Sequence, residues 1–390
     1  MSFVDPFFFI FLILSFAGFH LLNALSRRSG EGGVPIIAII FLFLVSVYFY
    51  GYFHPTYLFL LLGSSFGAWF FALLLGGFFF VEKRIFNMYL SRKLMLFFAI
   101  ISLLTPLFIF KYSNFFFSIL RDIGFKNSEV IALALPLGIS FFTFQNISYV
   151  TDVYRGTVAV EKNFLRYGLY ISFFPQLVAG PIVTAGKFIP QLFVPIKFSE
   201  ISLRSAVFYL LSGYIKKAVL ADRLAQVADP VFSDPSRVGW IGIVIAVTAY
   251  SFQIYFDFSG YSDIAIGAGR LFGIDLPENF NFPYAAPGFR QFWRRWHITL
   301  SVWLRDHLYV PLGGSKNGAF RLVFSLLVTM LLGGLWHGPH WNFVLWGLAH
   351  GILLVLDRWI PERISNAAVL RQIYIIFTFI VDLSEISDSA

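Results

Sequence analysis

Runs of about 20 apolar residues recur along nearly the whole chain, and nothing constrains its fold more. A helix of that length crosses roughly 30 Å of hydrocarbon. Such runs fall at about 3–22, 34–53, 56–81, 94–111, 130–150, 204–221, 238–258, 320–336, 341–360 and 370–382. Lipid offers no partner to backbone N–H and C=O groups, so a spanning segment must satisfy them internally. Water as sole solvent is excluded by composition. Hydrophobic residues make up 58% of the 390 and charged residues 13%, with 51 phenylalanines; soluble domains carry roughly 45–50% and about 25%. The chain therefore reads as an all-α integral membrane protein. We expect a single-domain, polytopic helical bundle over 1–390, with about 10–11 spans plus re-entrant and interfacial helices.

The run Phe7–Phe19 has no basic region before it and no small-residue cleavage site after it. It reads as a first span rather than a cleavable signal peptide. The sequence holds no cysteine, which excludes disulfides, thiolate metal sites and an acyl-enzyme thioester. The net charge of +8 needs no nucleic acid to explain it, because cytoplasmic loops of membrane proteins are enriched in Lys and Arg. Arg27 and Arg28 follow the first run, and Lys83, Arg84, Arg92 and Lys93 follow the third. The connection "FHP" between the second and third carries no Lys or Arg. Alternation then puts both basic clusters in the cytoplasm and the N-terminus outside. The shorter apolar pieces 165–179 and 260–272 are rich in Gly, Pro, Ala and Ser. They read as re-entrant or broken, a form tolerated at membrane depth only inside protein or beside a wet cavity. No internal repeat is visible, which speaks against an inverted-repeat transporter.

Chemistry-bearing residues concentrate in two stretches. "RQFWRRWHITLSVWLRDHLYVPLGG", Arg290–Gly314, packs four arginines, three tryptophans and two histidines together. On a continuous helix, Trp293, Trp296, His297, Leu300, Trp303, Leu304, His307 and Leu308 would share an arc of about 140°, with Arg294, Arg295, Arg305 and Asp306 opposite. One reading is an interfacial helix whose arginines grip lipid headgroups. The other is a wall of a reaction site, in which Arg290, Arg294, Arg295 and Arg305 hold a phosphate-bearing substrate and His297 faces the chemistry.

The second stretch, "LLGGLWHGPHWNFVLWGLAHG", holds His337, His340 and His350. Ionisable groups in so apolar a setting are costly and tend to serve a function. An apolar setting also favours the neutral imidazole, the form a general base requires. Gly333, Gly334 and Gly338 would admit another backbone or a thin substrate, and Pro339 should end the helix just after His337. A metal reading would use His337, His340 and His350, but the Gly-Pro insert spoils helical ligand spacing and no glutamate lies nearby. Between the two stretches, "IYFDFSGYSDIAIGAGRLFG" places Asp257 and Asp263 among small residues. They are expected as structural support, orienting a histidine or pairing with an arginine such as Arg270, while the small residues let helices pack closely.

Taken in order, "FYGYFHPTYLFLLL", "FKYSNFF", "LPLGISFFTFQNISYVTDVYRG", "FFPQLVAGPI", "FDFSGYSDIAIG", "PENFNFPY", "FWRRWHITLSVWLRDHLYVPLGG" and "LWHGPHWNFVLWGLAHG" resemble the membrane-bound O-acyltransferase (MBOAT) family. The likeness is strongest to its bacterial branch of alginate O-acetylation and teichoic acid D-alanyl transfer proteins, and it covers about residues 40–355. The resemblance implies a helical bundle around a central funnel or tunnel. It makes His337 the family's invariant histidine and His297 its second histidine. It also implies an acyl group, acetyl here, that comes from a cytoplasmic thioester, either acetyl-CoA or an acyl carrier protein, with no bound cofactor and no metal. The acceptor would lie outside the membrane, a polysaccharide or a secreted acetyltransferase of the SGNH-hydrolase type. Relatives of this branch carry about two more C-terminal spans where this sequence reads "FTFIVDLSEISDSA".

On this reading His337 takes the proton of an attacking hydroxyl. His297, or an N–H of Trp336 or Asn342, stabilises the oxyanion; Asp306, like Asp257 and Asp263, is expected as structural support. A glycan flippase or transporter and an intramembrane metallohydrolase are the alternatives.

Overall fold

The computed structural model describes residues 3–26, 32–53, 55–77, 88–125, 133–316 and 318–359. The expected span at 370–382 and the basic residues Arg27, Arg28, Lys83 and Arg84 lie outside them. Among the described residues the secondary structure is helical, without strands. Five helical stretches among the described residues are long and apolar enough to cross a membrane: Pro6–Leu25, Pro55–Leu75, Arg92–Asp122, Trp240–Leu271 and Gly318–His337. The protein is a multi-pass helical membrane protein. The described residues fall into two compact units, one within 1–210 and 264–277 and one within 211–263 and 278–359.

The first unit contains α1 (Pro6–Leu25), α2 (Ile36–Phe53), α3 (Leu58–Leu75), α4 (Met88–Leu107), α5 (Ser113–Asp122), α6 (Ile139–Arg155), α7 (Phe164–Ser172), and the short α8 (Phe174–Leu177) and α9 (Ala185–Phe188). The expected span 130–150 is replaced by α6, a helix rich in polar groups. Thr143, Gln145, Asn146 and Ser148 on it are all buried, and Tyr167 donates to Asn146 Oδ1 at 2.6 Å. Such a helix lies inside protein rather than against lipid. It starts after Gly138, whose backbone is left-handed at φ 71°. A Cβ there would come within 2.5 Å of the Leu177 carbonyl, so only glycine fits. The break expected within 165–179 is present: α7 ends at Ser172, α8 restarts at Phe174 with Pro175 in its first turn, and the whole stretch from Tyr167 to Leu177 is buried.

The chain enters the second unit within α10 (Leu203–Tyr214). There follow a widened helical turn at Ile215–Ala221, α11 (Asp222–Ser233), α12 (Trp240–Leu271), α13 (Phe289–Trp293), α14 (Ile298–Leu304), a second widened turn at Arg305–Tyr309, α15 (Gly318–His337) and α16 (Trp341–Trp359). The sequence reading needs correction at two points. Residues 260–272 are not broken, because α12 runs unbroken for 32 residues. At ~1.5 Å per residue that is about 48 Å, well beyond the hydrocarbon thickness. Its small residues serve close packing instead: a Cβ on Gly260 would stand 2.8 Å from the Gly213 carbonyl. Residues 293–308 do not form one amphipathic helix either. The backbone reverses at His297, with φ 40° and ψ 55°, a left-handed conformation that ends α13's turn before α14 begins.

Candidate active site

Pro339 does what its ring dictates. It cannot extend α15, so that helix ends at His337 and α16 starts at Trp341. The two helices then return side by side. A Cβ on Gly334 would sit 2.1 Å from the Phe343 carbonyl, and one on Gly347 2.3 Å from the Met330 carbonyl. The glycines anticipated as openings for a substrate are therefore, at position 334, contact points between α15 and α16. Their close approach carries His337, Trp346 and His350 into one aromatic cluster, with ring centroids of His337 and Trp346 5.1 Å apart and of Trp346 and His350 4.5 Å apart. α13 packs on α16 and adds Trp293, 5.4 Å from His350. Phe289, Phe292, Trp293, Trp296, Met330, Trp346 and Leu354 form the buried apolar core here.

His297 enters from the turn between α13 and α14. It is fully buried. Its ring meets the edge of Phe258 at 4.7 Å and lies 6.0 Å from Trp336, which in turn lies 5.1 Å from His337. Two histidines from separate stretches thus flank one tryptophan. His337 remains part exposed, while Trp336 is buried. His297 lies outside the five long apolar stretches, and burial, then the nearby His337, hold its pKa well below the usual imidazole value. Its Nδ1 lies 3.2 Å from Asn279 Oδ1. Asn279 was not singled out among the expected site residues. It sits in "PENFNFPY", a stretch read only for its likeness to a family, and the one available signal was an amide in an aromatic loop.

The remaining candidates fall into different settings. Arg290 is not free to hold a substrate phosphate. Its backbone N–H and Nε both donate to the buried Asp357 carboxylate at 3.0 Å, and Nη2 donates to the Asp357 carbonyl at 3.2 Å. The next carboxylate downstream of His350 is thus an arginine clamp. Arg294 is exposed. Arg295 reaches the Ala285 carbonyl at 3.5 Å, and Arg305 pairs with its neighbour Asp306 at 2.7 Å at an exposed position. Among the described residues, the hydrogen-bond and ion-pair partners of Asp257 and Asp263 are not histidines. Asp257 pairs with Lys217, and Asp263 accepts from Lys216 at 2.7 Å and Ser212 at 2.9 Å. Arg270 turns instead to Ser205, Asp275 and the Tyr209 ring. Lysines at 216 and 217 had not been anticipated as partners; both lie in the widened turn at Ile215–Ala221, which no periodicity announces. His340 is exposed and accepts the Asn342 backbone N–H at 3.2 Å, an arrangement that caps α16. Among the described residues no three His, Asp or Glu side chains gather as metal ligands do.

The arrangement offers a neutral buried imidazole and a part-exposed one around a shared indole. A part-exposed imidazole of this kind can take up and return a proton. The model of the "MBOAT, membrane-bound O-acyltransferase family" matches residues 158–387. A peptidoglycan O-acetyltransferase of Helicobacter pylori is 37% identical over 380 residues, covering 90% of this chain and 69% of that protein. A probable alginate O-acetylase AlgI of Azotobacter vinelandii is 42% identical over 284 residues, 70% of this chain and 55% of that protein. A teichoic acid D-alanyltransferase of Streptococcus thermophilus is 30% identical over 250 residues, 58% of each. The chain spans about half the length of the alginate-type relatives it matches.

Proposed function

Because the chain belongs to the membrane-bound O-acyltransferase family, we propose that it is an O-acyltransferase of the bacterial inner membrane that acetylates hydroxyl groups of cell-surface or exported polysaccharide. The acyl group comes from a cytoplasmic thioester, acetyl-CoA or an acyl carrier protein. It passes to an acceptor on the other side, a glycan or a secreted SGNH-type acetyltransferase that relays it. The observation that carries this reading is the meeting of His297 and His337 around Trp336 at the end of an apolar helix. The names of two relatives, a peptidoglycan O-acetyltransferase and a probable alginate O-acetylase, support the acceptor class.

The steps follow from the groups present. His337 takes the hydroxyl proton as the oxygen attacks the thioester carbonyl. Nearby N–H groups, with Trp336 and Asn342 as candidates, stabilise the oxyanion. The carbon–sulfur bond breaks, and the leaving thiolate regains its proton from His337. With no cysteine in the sequence, direct transfer needs no thioester on the enzyme. Exposed Arg294 is suited to the phosphates of a CoA or carrier donor, through its planar fork. Bringing both substrates to one point across the membrane supplies much of the remaining rate.

The test is acetyl transfer by full-length protein in proteoliposomes, with radiolabelled acetyl-CoA or acetyl carrier protein and with mannuronate or N-acetylhexosamine oligosaccharides. His337→Ala should lower transfer by about 10²–10⁴-fold while the protein still runs as a single folded species. An unchanged rate in that variant, or no transfer from either donor by the unaltered protein, removes the assignment.

A further inference from the structure

Asn279 is 1% exposed and holds the His297 turn from both sides. Its carbonyl accepts the Ile298 N–H at 2.9 Å, and two residues on, the Asn281 N–H donates to the Arg295 carbonyl at 2.9 Å. Its side-chain oxygen accepts from the Thr299 backbone N–H at 3.1 Å and from the Thr299 hydroxyl at 2.9 Å. Its amide nitrogen points the other way, to Ser262 Oγ at 3.5 Å. This environment settles the orientation of the amide. A backbone N–H only donates, so the atom facing Thr299 N must be the oxygen. That same oxygen faces His297 Nδ1 at 3.2 Å. Two acceptors cannot hydrogen-bond to each other, so Nδ1 carries the hydrogen. In a neutral imidazole this leaves Nε2 with a bare lone pair, and Nε2 is buried with no hydrogen bond to any group among the described residues.

A strained backbone accompanies the arrangement. His297 is one of two non-glycine residues with positive φ among the described residues. Such a conformation persists where surrounding contacts over-determine it, commonly at functional sites. Here the contacts that do so come chiefly from Asn279.

We propose that Asn279 is a positioning residue: it fixes His297 as the Nδ1–H tautomer, so that Nε2 receives a hydrogen bond from a hydroxyl of the acyl acceptor instead of donating one to the oxyanion. The proposal rests on the acyltransferase reading above and replaces the oxyanion role that the sequence suggested for His297. No proton moves to His297; it orients the acceptor while His337 takes the proton. The acceptor is accordingly a molecule with hydroxyl hydrogens to give, as a sugar has.

The experiment uses full-length protein in lipid nanodiscs with ring-¹⁵N histidine, whose nitrogen shifts separate protonated from bare ring nitrogens. The His297 signals are identified by their loss in His297→Asn. In the unaltered protein Nδ1 should be protonated and Nε2 bare; a protonated Nε2 overturns the proposal without reference to activity. Asn279→Leu removes the acceptor at similar size, and Asn279→Asp keeps it. The leucine variant should lose the fixed tautomer and lower kcat/KM for the oligosaccharide acceptor roughly 10–100-fold, mainly through KM, as expected when one buried hydrogen bond is lost. The KM for acetyl-CoA should hardly move. The aspartate variant should keep the tautomer and recover most of the loss. If Asn279→Leu leaves tautomer or acceptor KM unchanged, or if folded Asn279→Asp is as impaired as Asn279→Leu, the proposal is wrong. Should the leucine variant fail to fold, the unaltered protein and the aspartate variant still decide. Full activity of His297→Ala would instead remove His297 from the reaction, a separate failure from that of the tautomer.

Discussion

Arg290 and Arg294 stand one helical turn apart, yet only one of them is available to a ligand. Arg290 is bound to Asp357, a carboxylate buried to 3% exposure, whereas Arg294 points to the surface. Removing Arg290 leaves a buried charge with no guanidinium beside it. A fully buried pair broken in this way costs ~3–5 kcal/mol, and the guanidinium here is about a third exposed. We therefore expect Arg290→Ala to cost about 2 kcal/mol of stability, read as a lowered unfolding midpoint in detergent. Arg294→Ala should leave the midpoint unchanged and raise the KM for the thioester. Equal effects of the two substitutions on stability would contradict the clamp. The sequence makes both arginines look alike because it shows charge and spacing but not the partner: Asp357 lies 67 residues away. The same limit hid Asn279. His297 and His337 were legible because a histidine among tryptophans and leucines is unusual in itself, but the amide that sets the tautomer of one of them is an ordinary polar residue until its neighbours are known.

At the scale of elements, the glycines of α15 are not equivalent, although the run "LLGGLWHG" reads as one flexible patch. A Cβ on Gly333 would meet only the Leu304 side-chain methyl, at 3.2 Å, whereas one on Gly334 would press into the backbone of α16 at Phe343 and Gly347. A methyl group of a leucine can yield by a rotamer shift; a neighbouring helix backbone cannot without separating the helices. Gly334→Ala should therefore abolish folded, monodisperse protein or cut its yield severalfold, and Gly333→Ala should be close to neutral. Size-exclusion profiles of the two variants test this directly, and equal tolerance would mean that α15 and α16 are not held by this contact. The helix end at His337 was legible, because Pro339 has no N–H and clashes with the preceding turn. The continuity of α12 was not. Gly, Ser and Ala within "FSGYSDIAIGAG" signal broken backbone and tight helix packing equally well, and the close approach of Gly260 to Gly213 shows that packing prevailed. The break at His297 was equally invisible. A histidine visits the left-handed region more often than most residues, but that alone marks no position; here hydrogen bonds from Ile298 and Thr299 to Asn279 accompany the turn.

For the whole molecule, the class of fold followed from one physical demand. Stretches of about 20 apolar residues must keep their backbone hydrogen bonds internal in lipid, and the helices Pro6–Leu25, Pro55–Leu75, Arg92–Asp122, Trp240–Leu271 and Gly318–His337 do so. The number of spans was harder to read than their existence. Apolar runs such as 130–150 and 204–221 satisfy the same composition rule, yet the first became a polar-lined buried helix and the second α10 with a widened turn carrying two lysines bound to Asp257 and Asp263. Orientation rests on charge alone. Lys83, Arg84, Arg92 and Lys93 cluster after the third apolar run, and the "FHP" connection before it has no basic residue. Moving such a cluster across the membrane is opposed by the bias that retains Lys and Arg in the cytoplasm, so we propose that the 83–93 segment faces the donor side and the "FHP" connection the acceptor side. Because the sequence holds no cysteine, a single introduced thiol reports without background. In intact cells, a membrane-impermeant maleimide should label a His54→Cys variant and leave Arg84→Cys unlabelled until the cells are opened. The reverse pattern would turn the molecule over, and with it the side from which the thioester must approach His337.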